Sequence, residues 1–361
     1  MKDVLVLGAG EVGASAAHYA ARKAGGVTVA DLDGERAGAA ASAAGKNVRP
    51  LQLDVTDQPG LEEAMRAHRV VLNTVGPFFR FAKPVFDAAI ATGTDYIDVA
   101  DDWEPVLDLA ALDDEARKAG IRAIVGMGAS PGLANLLARL AMEDRPDATS
   151  LVTTWRADDV GEGYSAAKEH WLHQCTGTIR VLRGGRLIDE PPLQDLEIEY
   201  PLIGQIALAT VGHPEAVTLP RRYPHLDTCL NAMAVPPRLL ELLRNVREEN
   251  PQDMHAAASG FTERYHAMGE DDLSVVGKLP GMFAAAIARD GSSVVTLLDY
   301  PEGLGPVTAA PMVTALVLLE AGDGPAAGVW MPEDAFAPAP FLAAFSELFG
   351  GEAPLWRLER T

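Results

Sequence analysis

The chain has 361 residues, more than one ordinary hydrophobic core organises, and this length points to two domains. At 48% hydrophobic and 22% charged residues, its composition is that of a globular protein able to bury a large core. A formal charge of -21, from 51 acids against 30 bases, repels phosphate backbones and anionic membrane surfaces, which argues against nucleic acid or lipid as partners.

Cys175 and Cys229 are the only cysteines, and neither has a neighbour at zinc-ligand or redox-motif spacing. No disulfide framework and no metal site are expected, and a reducing cytoplasm fits. The N-terminus enters a strand without a charged leader, and no run approaches the ~20 apolar residues of a membrane span, so a soluble, unexported protein is expected.

Short apolar runs at 4–7, 27–30, 48–53, 70–73, 96–99 and 122–125 alternate with amphipathic stretches such as 14–22, 61–67 and 107–119. That alternation predicts an α/β fold in which strands cross over through helices into a doubly wound parallel sheet of the Rossmann type. After 125 a glycine-rich turn, Gly126 to Gly132, feeds a predicted helix over 133–142, and the rhythm breaks. We place the first domain at 1–127. Residues 128–305 mix strands (151–155, 179–182, 293–298) with a helix at 238–246 and Pro-rich segments, predicting an α+β second domain. In the remaining segment, 306–361, an apolar helix at 308–320 between Pro306 and Gly322 is expected to return to the first domain.

The first strand runs into Gly8-Ala9-Gly10-Glu11-Val12-Gly13, a G-x-G-x-x-G pattern that opens a helix. In that context Gly8 permits the tight turn, Gly10 lets backbone approach a pyrophosphate, and Gly13 lets helix and strand pack closely; the bland alternative is a chance glycine-rich turn. The diphosphate would rest on unpaired N–H groups at the positive end of the helix. Asp31 ends the second strand, where a carboxylate can accept from the adenosine ribose hydroxyls. A 2′-phosphate there meets like charge with only Arg36 nearby to compensate, so NAD is expected over NADP. Otherwise Asp31 caps the next helix, a role open equally to Asp33. Asp54, with Val55 beside it, closes the third strand and either contacts the adenine or caps a turn. Thr74, Gly76 and Pro77 follow the fourth strand at the sheet edge, where the nicotinamide half would lie.

These residues together resemble the saccharopine dehydrogenase-like enzymes. The likeness runs through 4–10 with Asp31, Val75-Gly76-Pro77-Phe78, Thr94-Asp95-Tyr96-Ile97-Asp98, Gly128-Ala129-Ser130-Pro131-Gly132-Leu133-Ala134-Asn135 and Gly328-Val329-Trp330-Met331-Pro332-Glu333, and less clearly through 181–185 and 214–221. The resemblance implies a second domain with a mixed sheet that supports a homodimer, an active site in the cleft between domains, and hydride transfer at a carbon bearing nitrogen in an amino-acid-like or amine substrate. Residues 230–235 depart from the basic, glycine- and histidine-containing strand of lysine 6-dehydrogenases, so lysine is not assigned as the substrate.

Oxidation at a carbon–nitrogen centre needs alignment at the nicotinamide and a base for the ammonium proton. Asp98 faces the cofactor edge of the sheet, and Asp101, Asp102 and Glu104 follow it; like-charge repulsion would raise a carboxyl pKa there, unless the loop is simply solvated. His170 and His173 share one face of a predicted helix and are candidate proton acceptors, or packing residues. Phe78, Arg80, Asn135 and Arg156 are candidates for substrate contact, with arginine suited to a carboxylate; surface charge or local capping is the plain alternative. A redox-silent NAD-binding sensor or scaffold is the competing reading, and a lyase or cyclase that uses NAD transiently is a third.

Overall fold

The computed structural model describes residues 3–157, 166–201, 203–249, 254–269, 279–297, 303–349 and 355–360. The chain divides into two compact units, Met1–Leu136 with Asp299–Leu355, and Leu137–Leu298 with Trp356–Thr361.

The first unit opens with β1 (Val4–Leu7), α1 (Glu11–Ala21), β2 (Val27–Asp31), α2 (Gly34–Ala44), β3 (Val48–Gln52), α3 (Gln58–Arg66), β4 (Val70–Asn73) and α4 (Phe78–Thr92). It continues through β5 (Asp95–Asp98), α5 (Trp103–Ala110), α6 (Asp113–Ala119) and β6 (Arg122–Ile124), and α7 (Leu133–Asp144) begins in this unit and passes into the second at Leu137. All strand pairings here are parallel, in the order β6-β5-β4-β1-β2-β3. Strand order reverses between β1 and β4, the switch point at whose carboxyl edge open α/β sheets bind ligands. Val4 to Leu7 have no exposure, as a central strand covered on both faces requires, and each such side chain contributes about 2 kcal/mol of burial.

Several boundaries differ from the sequence expectation, α3 for one beginning at Gln58 rather than 61. Helix α1 begins at Glu11 rather than 14, because it starts at the capping Gly10, which apolar periodicity does not register. The stretch 107–119 is two helices rather than one: α5 ends at Ala110, and Asp113, Asp114 and Glu115 favour a fresh N-terminus for α6. The Ala-rich run 37–44 lies in α2 and buries Ala37, Ala40 and Ala41, small enough for close packing.

The second unit contains β7 (Ser150–Arg156), α8 (Ala166–Cys175), β8 (Ile179–Arg183), β9 (Arg186–Glu190), β10 (Asp195–Tyr200), β11 (Gly204–Thr210) and α9 (Glu215–Arg222). Then come β12 (Thr228–Ala234), α10 (Pro237–Glu248), α11 (Met254–His266), β13 (Met282–Ala288) and β14 (Gly291–Leu297). The chain then re-enters the first unit as α12 (Leu304–Ala321), β15 (Gly328–Trp330), α13 (Pro332–Ala335) and α14 (Pro338–Phe349), and β16 (Trp356–Arg360) closes the second sheet. That sheet is mixed, ordered β10-β11-β12-β7-β13-β14-β16 with β8 and β9 branching from β12. β12 and β7 pair parallel, and their neighbours run antiparallel. Leu172, Leu239, Leu243 and Phe261, all without exposure, form the core where α8, α10 and α11 meet the sheet.

In the first unit β15 pairs parallel with β6. Arg122 ties this edge together by gripping Asp95 and donating to the Leu319 carbonyl of α12. Helix α12 lies along α1 so closely that a Cβ on Gly305 would meet the Glu11 backbone oxygen at 2.7 Å.

Candidate functional site

At the turn from β1 into α1 the three glycines have different causes. Gly8 adopts φ +90°, and a Cβ on it would sit 2.7 Å from Thr74 Oγ1. A Cβ on Gly13 would overlap the Gly8 carbonyl oxygen. Both positions are therefore fixed by the protein's own packing. Gly10 is different: its φ of -70° is ordinary and no protein atom lies within 4 Å of where its Cβ would be. Nothing inside the fold demands a glycine there, as is also true of Gly38 and Gly76. The cap of α1 receives no side-chain hydrogen bond, which leaves first-turn N–H groups available at the positive helix end.

Asp31, half-buried, accepts from Ala9 N at 2.7 Å with one carboxylate oxygen and from Asp33 N at 2.9 Å with the other. The helix-capping role falls to Asp33, which accepts from Glu35 N and Arg36 N. Asp31 is thereby fixed beside the glycine turn and is not the cap of α2. Exposed Asp54 accepts from both N and Oγ1 of Thr56, and these bonds hold its carboxyl below the usual range; it forms a turn, while Val55 beside it is half-exposed. Val12 is half-exposed in the first turn of α1.

Three cofactor or substrate candidates are absorbed into the fold. Glu11 Oε1 accepts from Gly305 N at 2.9 Å, so its carboxylate caps the start of α12. Thr74 Oγ1 donates to the Leu7 carbonyl at 2.7 Å, closing the space between β1 and β4. Phe78 is 7% exposed because α4 begins there and turns it inward, whereas Phe79, one residue on, is 52% exposed. Gly76 and Pro77, joined by a cis peptide bond, and Pro77 at the N-cap of α4, lie beyond the carboxyl end of β4. Arg80 is exposed, its guanidinium 4.9 Å from the Phe81 ring centroid.

Asp98 is not part of a solvated acidic loop. It is fully buried: Oδ2 accepts from Tyr96 Oη at 2.7 Å, and Oδ1 accepts from Ala100 N at 3.1 Å and Gly126 N at 2.6 Å. Tyr96 Oη in turn accepts from Asn73 Nδ2, and Asn73 Oδ1 accepts from Val75 N. This chain ties together the loops that leave β4, β5 and β6 at the sheet's carboxyl edge. The Asp98 pKa is raised to about 6, chiefly by burial, with the Asp101 charge a small contributor, so like-charge repulsion is not the main cause. Asp102 is also buried, at 2% exposure, where α5 begins. Asn135 has no exposure; its side-chain oxygen accepts from Gly132 N and its amide donates to buried Glu333 at 2.7 Å. Both ends are used to cap local backbone and hold the Met331-to-Glu333 segment.

In the second unit Arg156 donates to the Leu279 carbonyl at 3.0 Å and so braces β7 against the approach to β13. His173 is half-buried on α8, and the side chain of His170 lies outside the described residues. A group that the sequence did not suggest is His213, 4% exposed. Its ring lies 3.1 Å from Gln174 Oε1 and 3.4 Å from Glu215 Oε2, against the Trp155 ring. Its partners come from α8 and α9, brought together by the fold. Among the described residues no group of three or more side chains could hold a metal, and no helix is long and apolar enough to cross a membrane.

Residues 4–124 match the family model of the saccharopine dehydrogenase NADP binding domain. Among solved structures, the apo histidine-tagged saccharopine dehydrogenase (L-Glu forming) from Saccharomyces cerevisiae is similar over 100% of both chains, with a TM-score of 0.67 and 16% identity. PbgP3 protein from Burkholderia pseudomallei aligns over 27% of this chain and 38% of its own at 18% identity, with a TM-score of 0.23. No curated protein matches the sequence. Residues 4–124 are thus similar to the saccharopine dehydrogenase NADP binding domain, and the chain resembles saccharopine dehydrogenase in fold.

Proposed function

We propose that this chain is an oxidoreductase that uses a nicotinamide dinucleotide, NAD in preference to NADP, and transfers hydride at a carbon–nitrogen centre of an amino-acid-like substrate. The observation that carries the reading is Gly10: the two flanking glycines are explained by packing, and the third is explained by a diphosphate close to its backbone. The cofactor accepts or donates a hydride. In the oxidative direction the amine carbon loses hydride, its nitrogen loses a proton to a protein base, and the resulting imine takes up water to give carbonyl and ammonia or amine. His170 and His173 are the proton-transfer candidates of this reading. Asp98, enclosed by three donors, acts on the loops and does not reach substrate.

The matched domain is named for NADP, and Asp31 supports the other choice. A carboxylate fixed by Ala9 N presents acceptors to ribose hydroxyls and like charge to a 2′-phosphate. Calorimetric titration with NADH and NADPH, followed by NADH absorbance in screens of amino acids, diamines and keto-acid plus amine pairs, tests both parts. A cytoplasmic setting suits two buried free thiols.

The redox-silent reading draws support from one observation: Phe78, Asn135 and Arg156 are all occupied by the fold. It predicts tight dinucleotide binding with no turnover on any of those substrates.

A further inference from the structure

Helix α12 begins after Gly303, at φ +79°, a cap residue with no side chain to offer its first turn. The acceptor comes from the other end of the sequence: Glu11 Oε1 takes the Gly305 N–H at 2.9 Å, across 294 positions of chain. The contact leaves no room for a side chain at 305. A Cβ there would stand 2.6 Å from Glu11 Cγ and 2.7 Å from the Glu11 backbone oxygen, so it is Glu11 that demands this glycine.

Glu11 is also the first residue of α1, directly after Gly10. The positive ends of two helices therefore meet at the glycine turn, with this carboxylate at their junction. Left unopposed there, it would repel a diphosphate. Turned onto α12, its charge is offset by that helix's positive end, and the first-turn N–H groups of α1 keep their field for an anion. The start of α12 reaches further along the carboxyl edge of the sheet. A Cβ on Gly128, in the loop after β6, would come within 3.1 Å of Thr308 Cγ2 and 3.4 Å of the Val99 Cβ that follows β5. The first turns of α12 thus form a strap over this edge, and Glu11 fastens the strap to the glycine turn.

We propose that Glu11 is a positioning residue of the dinucleotide site: by capping α12 from the first turn of α1, it holds the glycine turn in the form that receives the diphosphate. The inference rests on the proposed binding of a nicotinamide dinucleotide at this turn. Glu11 acts through α12 and not by contact with the cofactor. Anion binding needs the N–H groups that follow Gly10 to converge, and a turn released from α12 must be ordered again at the expense of affinity. By reciprocity, a dinucleotide that selects the ordered turn also tightens the bond between Glu11 and Gly305. Two simpler roles make different predictions. If Glu11 acted only by its charge, alanine and glutamine in its place would both tighten binding. If it served only the fold, both would lower stability and leave affinity unchanged.

Calorimetric titration of the full chain with the tighter-binding of NADH and NADPH tests the proposal, with thermal melts to establish that each variant is folded. Glu11→Ala is expected to raise Kd at least about tenfold, and Glu11→Gln, which keeps an acceptor for Gly305 N, to stay within about threefold of wild type. Gly305→Ala opens the same contact from the α12 side and is expected to weaken binding to a similar extent. Both act through one contact, so the double variant Glu11→Ala with Gly305→Ala is expected to bind no worse than the weaker single variant. Hydrogen exchange of the Gly305 amide in the wild type requires no variant to fold, and saturating dinucleotide is expected to slow it at least about tenfold. An unchanged Kd in Glu11→Ala, tighter binding in both Glu11 variants, additive losses in the double variant, or Gly305 exchange indifferent to dinucleotide overturns the proposal. A wild type that binds neither NADH nor NADPH refutes the proposed function as well, whereas any of the former results beside wild-type binding refutes the role of Glu11 alone.

Discussion

The hydroxyl of Tyr96 donates a 2.7 Å hydrogen bond to the carboxyl of Asp98, two residues along the same strand, and both side chains are fully buried. Through this bond Asn73 and Asp98 control the loops after β4, β5 and β6 together. Tyr96→Phe removes the shared hydroxyl and leaves Asp98 and Asn73 each short of one partner. A loss of about 2 kcal/mol in unfolding free energy is expected by urea denaturation.

The same carboxyl predicts a pH dependence. Its folded pKa, raised from 3.8 to about 6, lies above its unfolded value, so between those limits the folded state holds a proton that the unfolded state has lost. The associated stability is fully present below the unfolded pKa and is lost as pH rises through the folded pKa. From about pH 4.5 to about pH 7, wild type is expected to lose on the order of 2 kcal/mol relative to Asp98→Asn. Parallel stability curves for the two proteins would refute the assignment.

Gly10 and Gly13 separate ligand from packing. Gly10→Ala meets no protein atom, so its melting temperature is expected to stay within a few degrees of wild type while dinucleotide Kd rises at least about tenfold. Gly13→Ala drives a methyl group into the Gly8 carbonyl and is expected to cost about 3 kcal/mol or more of stability. Thermal melts and calorimetry on the two variants distinguish the effects.

Asn135 is expected to behave as a structural residue. Asn135→Ala removes one partner from the buried Glu333 carboxyl and the acceptor of the Gly132 N–H, lowering stability by about 2–4 kcal/mol. In the properly folded fraction the KM for any substrate found is expected to be unchanged; a large rise in KM with little loss of stability would show that Asn135 contacts substrate.

Features of the first domain carried by neighbouring residues were legible in the sequence. A strand, a glycine turn and a helix follow one another within 4–21, and Asp31 falls where the second strand must end. What sequence could not show was which polar groups the fold would enclose. Asp98 reads as the first of an acidic run, and its burial depends on Gly126 and Ala100 folding over it. Phe78 and Phe79 are equivalent until the start of α4 sets the helical phase. Asn135 meets Glu333 across 198 positions of chain, and His213 meets Gln174 across 39. The second sheet depends on pairings of the same kind, such as β13 with β7 and β14 with β16, which leave no local pattern.

Asp31→Ser provides the cofactor test that Gly10 does not. Removal of the carboxylate is expected to weaken NADH binding by about tenfold and to improve NADPH binding, inverting or erasing the preference. An unchanged ratio would show that another residue selects the cofactor.

Isothermal titration of the wild-type chain with NADH and with NADPH bears most directly on the central claim. The account predicts saturable binding of NADH, one per chain, at least about tenfold tighter than NADPH. Folded protein that takes up neither dinucleotide would contradict it.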